Sequence, residues 1–95
     1  MRITEREKDV LYSSVMAIDP MARIWLFGSR VAEQKKGGDI DLAILSTKIG
    51  RAELRRIRRS ILDAIGEQHL DLVASQNGSE AFFRLAVEGG VEINA

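Results

Sequence analysis

Three short apolar runs, each about as long as a single β-strand, constrain the fold of this chain more than any other feature. They cover residues 22–27, Asp39–Leu45 and residues 70–74, and turn-forming or polar residues bound each of them. Segments whose apolar residues recur at helical spacing separate the runs. The alternation predicts an α+β fold, with a small mixed β-sheet flanked by helices.

The first helix is predicted over residues 4–18. Thr4 and Glu7 have the spacing of a capping box, in which a hydroxyl and a carboxylate satisfy free amide groups at the helix start. Pro20 ends the helix, because the residue before a proline is displaced from helical backbone angles.

The strongest helical pattern is amphipathic and covers residues 51–68. Its apolar stripe faces inward, and five arginines lie mostly outside that stripe. His69 is expected to lie where this helix ends. The other predicted elements are a short helix over residues 31–35, a helix over residues 79–88 capped by Ser79, and a short last strand over residues 91–93.

Length and composition exclude several classes of function. The chain has 95 residues, so we expect one domain over residues 1–95. Its 14 basic and 14 acidic residues give no net charge, which argues against direct binding to nucleic acid or a membrane. The chain has no cysteine, and His69 is its single histidine, so a multi-histidine zinc site is excluded. Without a signal-peptide core or an apolar run of about 18 residues, the expected location is cytoplasmic.

Asp39 and Asp41 head the second strand. Residues two apart on a strand point to the same face, with Cα atoms about 6–7 Å apart. Two carboxylates placed in this way suit hard divalent cations, which prefer oxygen ligands. The alternative is a solvated edge strand that carries two surface acids.

Two further features accompany this pair. Asp71 is flanked by apolar strand residues, where a carboxylate is unfavourable unless it binds a metal or one of the arginines. Gly28 and Ser29 follow the first strand, where glycine permits close approach and a helix start can bind phosphate. The alternative for them is a simple turn. Arg30 suits either a phosphate contact or a surface ion pair.

Together these residues resemble a known pattern. Gly28-Ser29, nine intervening residues, Asp39-x-Asp41 and a distant Asp71 look like the DNA polymerase β-like nucleotidyltransferase superfamily. More narrowly, the segments GSRVAEQKKGGDIDLAIL, LDLVAS and VEGGVEI resemble the minimal nucleotidyltransferase family. Two departures are the EQKK stretch at residues 33–36, where small residues and a further arginine are frequent, and Gly38, where serine is common.

The resemblance implies a role for each matching residue. Gly28 and Ser29 would bind the triphosphate of ATP. Asp39 and Asp41 would bind two Mg²⁺ ions, while Asp71 would help to bind the catalytic ion and activate the acceptor hydroxyl. The reaction implied is in-line attack of that hydroxyl on the α-phosphate, with release of pyrophosphate.

The resemblance also implies a partner. Minimal nucleotidyltransferases are commonly antitoxins that transfer AMP to a tyrosine of a HEPN-family ribonuclease toxin, and so silence it. A chain this short is not expected to hold a second, substrate-gripping domain, so the acceptor would come from another protein or a second subunit in a homo- or hetero-oligomer. The alternatives are inhibition by occlusion without catalysis, transfer to a small molecule such as an antibiotic, and, more weakly, RNA binding through the arginine-rich helix.

Overall fold

Seven helices and strands follow one another in the computed structural model, which describes residues 3–28 and 39–94. None of the helices within these ranges is long and apolar enough to cross a membrane. The elements are α1 (Glu5–Met16), β1 (Arg23–Phe27), β2 (Asp39–Leu45), α2 (Arg51–Ile65), β3 (His69–Ser75), α3 (Ala81–Glu88) and β4 (Val91–Ile93).

The four strands form one mixed sheet in the order β3-β2-β1-β4. β1 pairs antiparallel with both β2 and β4, whereas β2 and β3 run parallel to each other. Helix α2 makes the crossover from β2 to β3, as a parallel connection requires. The α+β architecture with a small mixed sheet is therefore confirmed.

Each face of the sheet has its own apolar cluster. Alternate residues of the strands, such as Ile24, Leu42 and Leu70, pack under α1 and α2 and form the larger cluster. On the opposite face, Trp25 and Ala43 pack against α3. The ring of Trp25 meets that of Phe83 edge to face, with 5.8 Å between the centroids.

Most of the predicted boundaries agree with the structure to within a few residues. The capping box of Thr4 and Glu7 is present at the start of α1. The prediction for α2 was too long, because Gly66 adopts a φ of 91° that ends the helix after Ile65. His69 consequently belongs to β3.

Two smaller predictions have different outcomes. Ser79 is not the cap of α3, which begins after Glu80. The side chain of Asn77 instead accepts a hydrogen bond from the Ser79 amide in the preceding turn. The short helix predicted over residues 31–35 lies outside the described residues.

Candidate functional site

The three predicted acids lie on one face of the sheet, near the same end of β2 and β3. The parallel register places Asp41 directly beside Asp71 and places Asp39 beside His69. On the other side of Asp41, the antiparallel register places Phe27, the last residue of β1. Strand pairing therefore brings together carboxylates that are 30 positions apart in the sequence.

This end of the face lies beyond the apolar cluster that α3 covers. Ala43, the next residue of β2 on the same face after Asp41, is fully buried in that cluster. Asp41 is partly buried, whereas Asp39 and Asp71 are exposed. The carboxylates thus stand at the open margin of an apolar surface, where a ligand has access to them from solvent.

Gly28, the residue that follows β1, packs against the Asp41 carboxylate. Its φ is 76°, and a Cβ atom at this position would lie 2.2 Å from Oδ2 of Asp41. Both the backbone conformation and this contact require glycine. Gly28 is therefore next to the acids, whereas Ser29 and Arg30, the other predicted phosphate contacts, lie outside the described residues.

The electrostatics of the cluster centre on Asp41. Burial raises the pKa of the Asp41 carboxyl, and a side-chain hydrogen bond and charge repulsion from Asp71 raise it further. The charge of Asp39 acts in the same direction, whereas His69 lowers the pKa. Because ionised carboxylates are only acceptors, the hydrogen bond between Asp41 and Asp71 requires a proton on one of them.

The donor chemistry of the cluster fits a hard divalent cation. All three acids supply carboxylate oxygens, and a cation would relieve the repulsion that favours a proton between Asp41 and Asp71. Within residues 3–28 and 39–94, however, no three His, Cys, Asp or Glu side chains are grouped so that they would hold a metal ion. The structure thus brings Asp41 and Asp71 into contact without completing a ligand set with Asp39, and the two-ion site stays a prediction.

His69 is a member of the cluster that the sequence analysis missed. Its Nε2 atom lies 3.2 Å from Oδ2 of Asp71, and both side chains are more than half exposed. The two residues are two positions apart on β3 and so share a face of the sheet. Starting the third strand at His69, one residue earlier than predicted, would have revealed the pair.

Comparison with known proteins supplies one family match. The family model described as "Polymerase beta, Nucleotidyltransferase" matches residues 13–94, which include Gly28 and all three acids. No curated protein is similar enough to the chain to count as a match.

Proposed function

Because the chain belongs to the polymerase β nucleotidyltransferase family, we propose that it transfers AMP from ATP to a tyrosine hydroxyl of a partner protein. The partner would be a HEPN-family ribonuclease toxin, and the transfer would neutralise it in the cytoplasm. The chain is a nucleotidyltransferase domain, and such domains generally use a nucleoside triphosphate and a divalent metal. ATP, Mg²⁺ and the tyrosine acceptor are the finer parts of the proposal.

One observation carries the proposal for the site. Asp41 lies between Gly28, the residue that follows β1, and Asp71 on the neighbouring strand, on the part of the sheet face beyond the α3 cluster. A triphosphate held at a turn beginning with Gly28 would lie next to these carboxylates. The bound triphosphate and the carboxylates that act on it would then be adjacent, as nucleotidyl transfer requires.

The proposed reaction forms a bond between the tyrosine oxygen and the α-phosphorus of ATP. The bond from that phosphorus to the oxygen bridging the α- and β-phosphates breaks, and pyrophosphate leaves. The Asp71 carboxylate takes the proton of the hydroxyl, and His69, 3.2 Å from its Oδ2 atom, holds that carboxylate in place. Asp39, Asp41 and Asp71 would hold Mg²⁺, which when bound offsets negative charge on the phosphates.

The identity of the partner rests on the sequence. The segments around Gly28, Asp41 and Asp71, together with the terminal VEGGVEI, resemble minimal nucleotidyltransferases that act as antitoxins. A tyrosine hydroxyl is a suitable acceptor, since it is more acidic than an aliphatic hydroxyl and so loses its proton more readily.

The test uses ATP labelled at either the α- or the γ-phosphate. The protein is incubated with MgCl₂ and a purified HEPN-type ribonuclease, and the toxin is then analysed by mass spectrometry. We expect the toxin to gain one or more AMP units on a tyrosine, carrying the α label and not the γ label. Asp41→Asn should abolish this gain. Asp9→Asn, which removes an exposed acid on α1 away from the site, should not.

A second candidate is inhibition by occlusion, in which the chain blocks the ribonuclease without catalysis. In this case the toxin gains no mass, and a protein carrying both Asp39→Ala and Asp41→Ala still inhibits the ribonuclease. That pair of results would overturn the transfer proposal while leaving the antitoxin role in place.

A further inference from the structure

Helix α2 presents a row of arginines to solvent on the side away from the core. Ile57 and Ile61 are buried against the sheet, whereas the arginines are all exposed. Within the described part of the chain, the side chains of Arg55 and Arg59 form neither an ion pair nor a hydrogen bond. The arginines of this row are Arg51, Arg55, Arg56, Arg58 and Arg59.

Part of this row lines a cavity of about 310 Å³ on the outer side of α2. Its walls combine three guanidinium groups, two carboxylates and one partly buried leucine. They belong to Arg55, Arg58, Arg59, Leu62, Asp63 and Glu67, and we refer to these six residues as the α2 surface.

The α2 surface adjoins the edge strand that carries the candidate site. Arg58 donates a side-chain hydrogen bond to the backbone carbonyl of Leu70, which lies between His69 and Asp71 on β3. The Leu70 side chain is buried on the face of the sheet that α1 and α2 cover, whereas Asp71 is on the opposite face. A partner bound to the α2 surface would therefore lie near the edge of the sheet at β3, on the face opposite to the Asp71 side chain.

We propose that the α2 surface docks an acidic segment of a partner protein. Arg55 and Arg59, which have no intramolecular partner among the described residues, supply forked donors that match carboxylates in geometry. Asp63 and Glu67 in the same walls would repel a continuous phosphate backbone, whereas a peptide can place its carboxylates selectively. Leu62 adds an apolar contact of a kind typical of protein interfaces. This inference goes beyond the proposed transfer reaction and does not depend on it.

The test measures, by fluorescence anisotropy, the binding of a labelled peptide whose glutamates are separated by neutral residues to the full chain. The variant carries Arg55→Gln and Arg59→Gln, substitutions that keep good helix formers at exposed positions. Arg58 is left intact because it contacts β3. The control is Arg84→Gln, which removes an exposed arginine of α3. Circular dichroism verifies that each protein is folded.

We expect the double variant to bind the peptide roughly two- to thirtyfold more weakly, the range expected for the loss of two exposed ion pairs. Arg84→Gln should bind like the unmodified protein, and so should Asp41→Asn, which separates this inference from the transfer reaction. The proposal is overturned if the peptide does not bind, if Arg84→Gln weakens binding as much as the double variant, or if a single-stranded RNA of similar charge binds more tightly.

Discussion

Replacing Gly28 with alanine perturbs the turn and the Asp41 carboxylate at the same time. The new Cβ atom would lie 2.2 Å from Oδ2 of Asp41, far inside van der Waals contact. The residue would also have to keep a φ of about 76°, which alanine adopts only with strain. The substitution therefore combines a backbone effect with a contact effect, and a second glycine in the chain separates them.

Gly66 provides the matched control. Its φ is 91°, and a Cβ atom there would meet nothing within 4 Å. Gly66→Ala should therefore lower the free energy of unfolding by backbone strain alone, about 1–3 kcal/mol, because its φ of 91° and ψ of 171° lie in a region that essentially only glycine adopts. Gly28→Ala adds the displacement of the Asp41 carboxylate, which gives an off-rotamer side chain at about 0.5–1.5 kcal/mol and, at a pH low enough for Asp41 and Asp71 to share a proton, disturbs their hydrogen bond at a similar magnitude. We expect an additional loss of about 1–3 kcal/mol.

Urea denaturation of a double-mutant cycle measures this additional term. Gly28→Ala and Asp41→Ala are compared singly and together, because removing the carboxylate leaves the Asp41 Cβ atom at an ordinary 3.4 Å. We expect a coupling of about 1–3 kcal/mol, with Gly28→Ala tolerated better once the carboxylate is gone. Additivity within about 0.5 kcal/mol would refute the packing of Gly28 against Asp41, since independent sites behave in that way.

Further predictions concern three titrating side chains, Asp41, Asp19 and His69. Asp41→Asn should raise the free energy of unfolding at neutral pH in EDTA by about 0.2–1 kcal/mol, because it removes a like-charge neighbour across two strands. In the unmodified protein, the raised pKa of Asp41 should make the free energy of unfolding fall as pH rises through that pKa, since the folded state there holds a proton that the unfolded chain releases. The measurement is the difference in unfolding free energy between the unmodified protein and Asp41→Asn, and a difference that does not change between pH 4 and 7 would contradict this. Asp19 is only 2% exposed and accepts hydrogen bonds from the Ser46 hydroxyl and the Met21 amide, so Asp19→Ala should lower the free energy of unfolding by about 1–3 kcal/mol in urea. Because those bonds lower the pKa of Asp19, its contribution should be lost as pH falls through the lowered value, the opposite sign to Asp41. His69→Gln should raise the pKa of Asp41, measured by carbon NMR of its carboxyl, because it removes a charge that lowers this pKa. An unchanged pKa would refute the interaction between His69 and Asp41.

Local patterns were sufficient to predict most of the elements. Thr4 and Glu7 mark the start of α1 because a capping box is a contact between near neighbours in sequence. The end of α2 was predicted three residues too late, because Glu67 and Gln68 are compatible with a helix, whereas Gly66 ends it after Ile65. The placement of His69 followed from that error.

The candidate site, too, could be predicted from the sequence only in part. Strand periodicity alone placed Asp39 and Asp41 on one face, because that relation holds within a single strand. The position of Asp71 beside Asp41 depends on which strands pair, in which direction and in which register, and none of these is encoded locally. Likewise, the contact from Arg58 to Leu70 arises from packing of α2 against the sheet edge, which helical spacing does not specify.

The parallel alignment of β2 with β3 ties the chemistry of the chain to its hydrophobic core. If the pairing of β3 with β2 shifted by one residue, Asp71 would turn toward the face under α1 and α2, and Leu70 would turn toward solvent. Loss of the carboxylate pair and exposure of a core leucine would then occur together. A misaligned sheet would therefore lose the acid pair and its stability together, and folding selects the same alignment that brings the acids together.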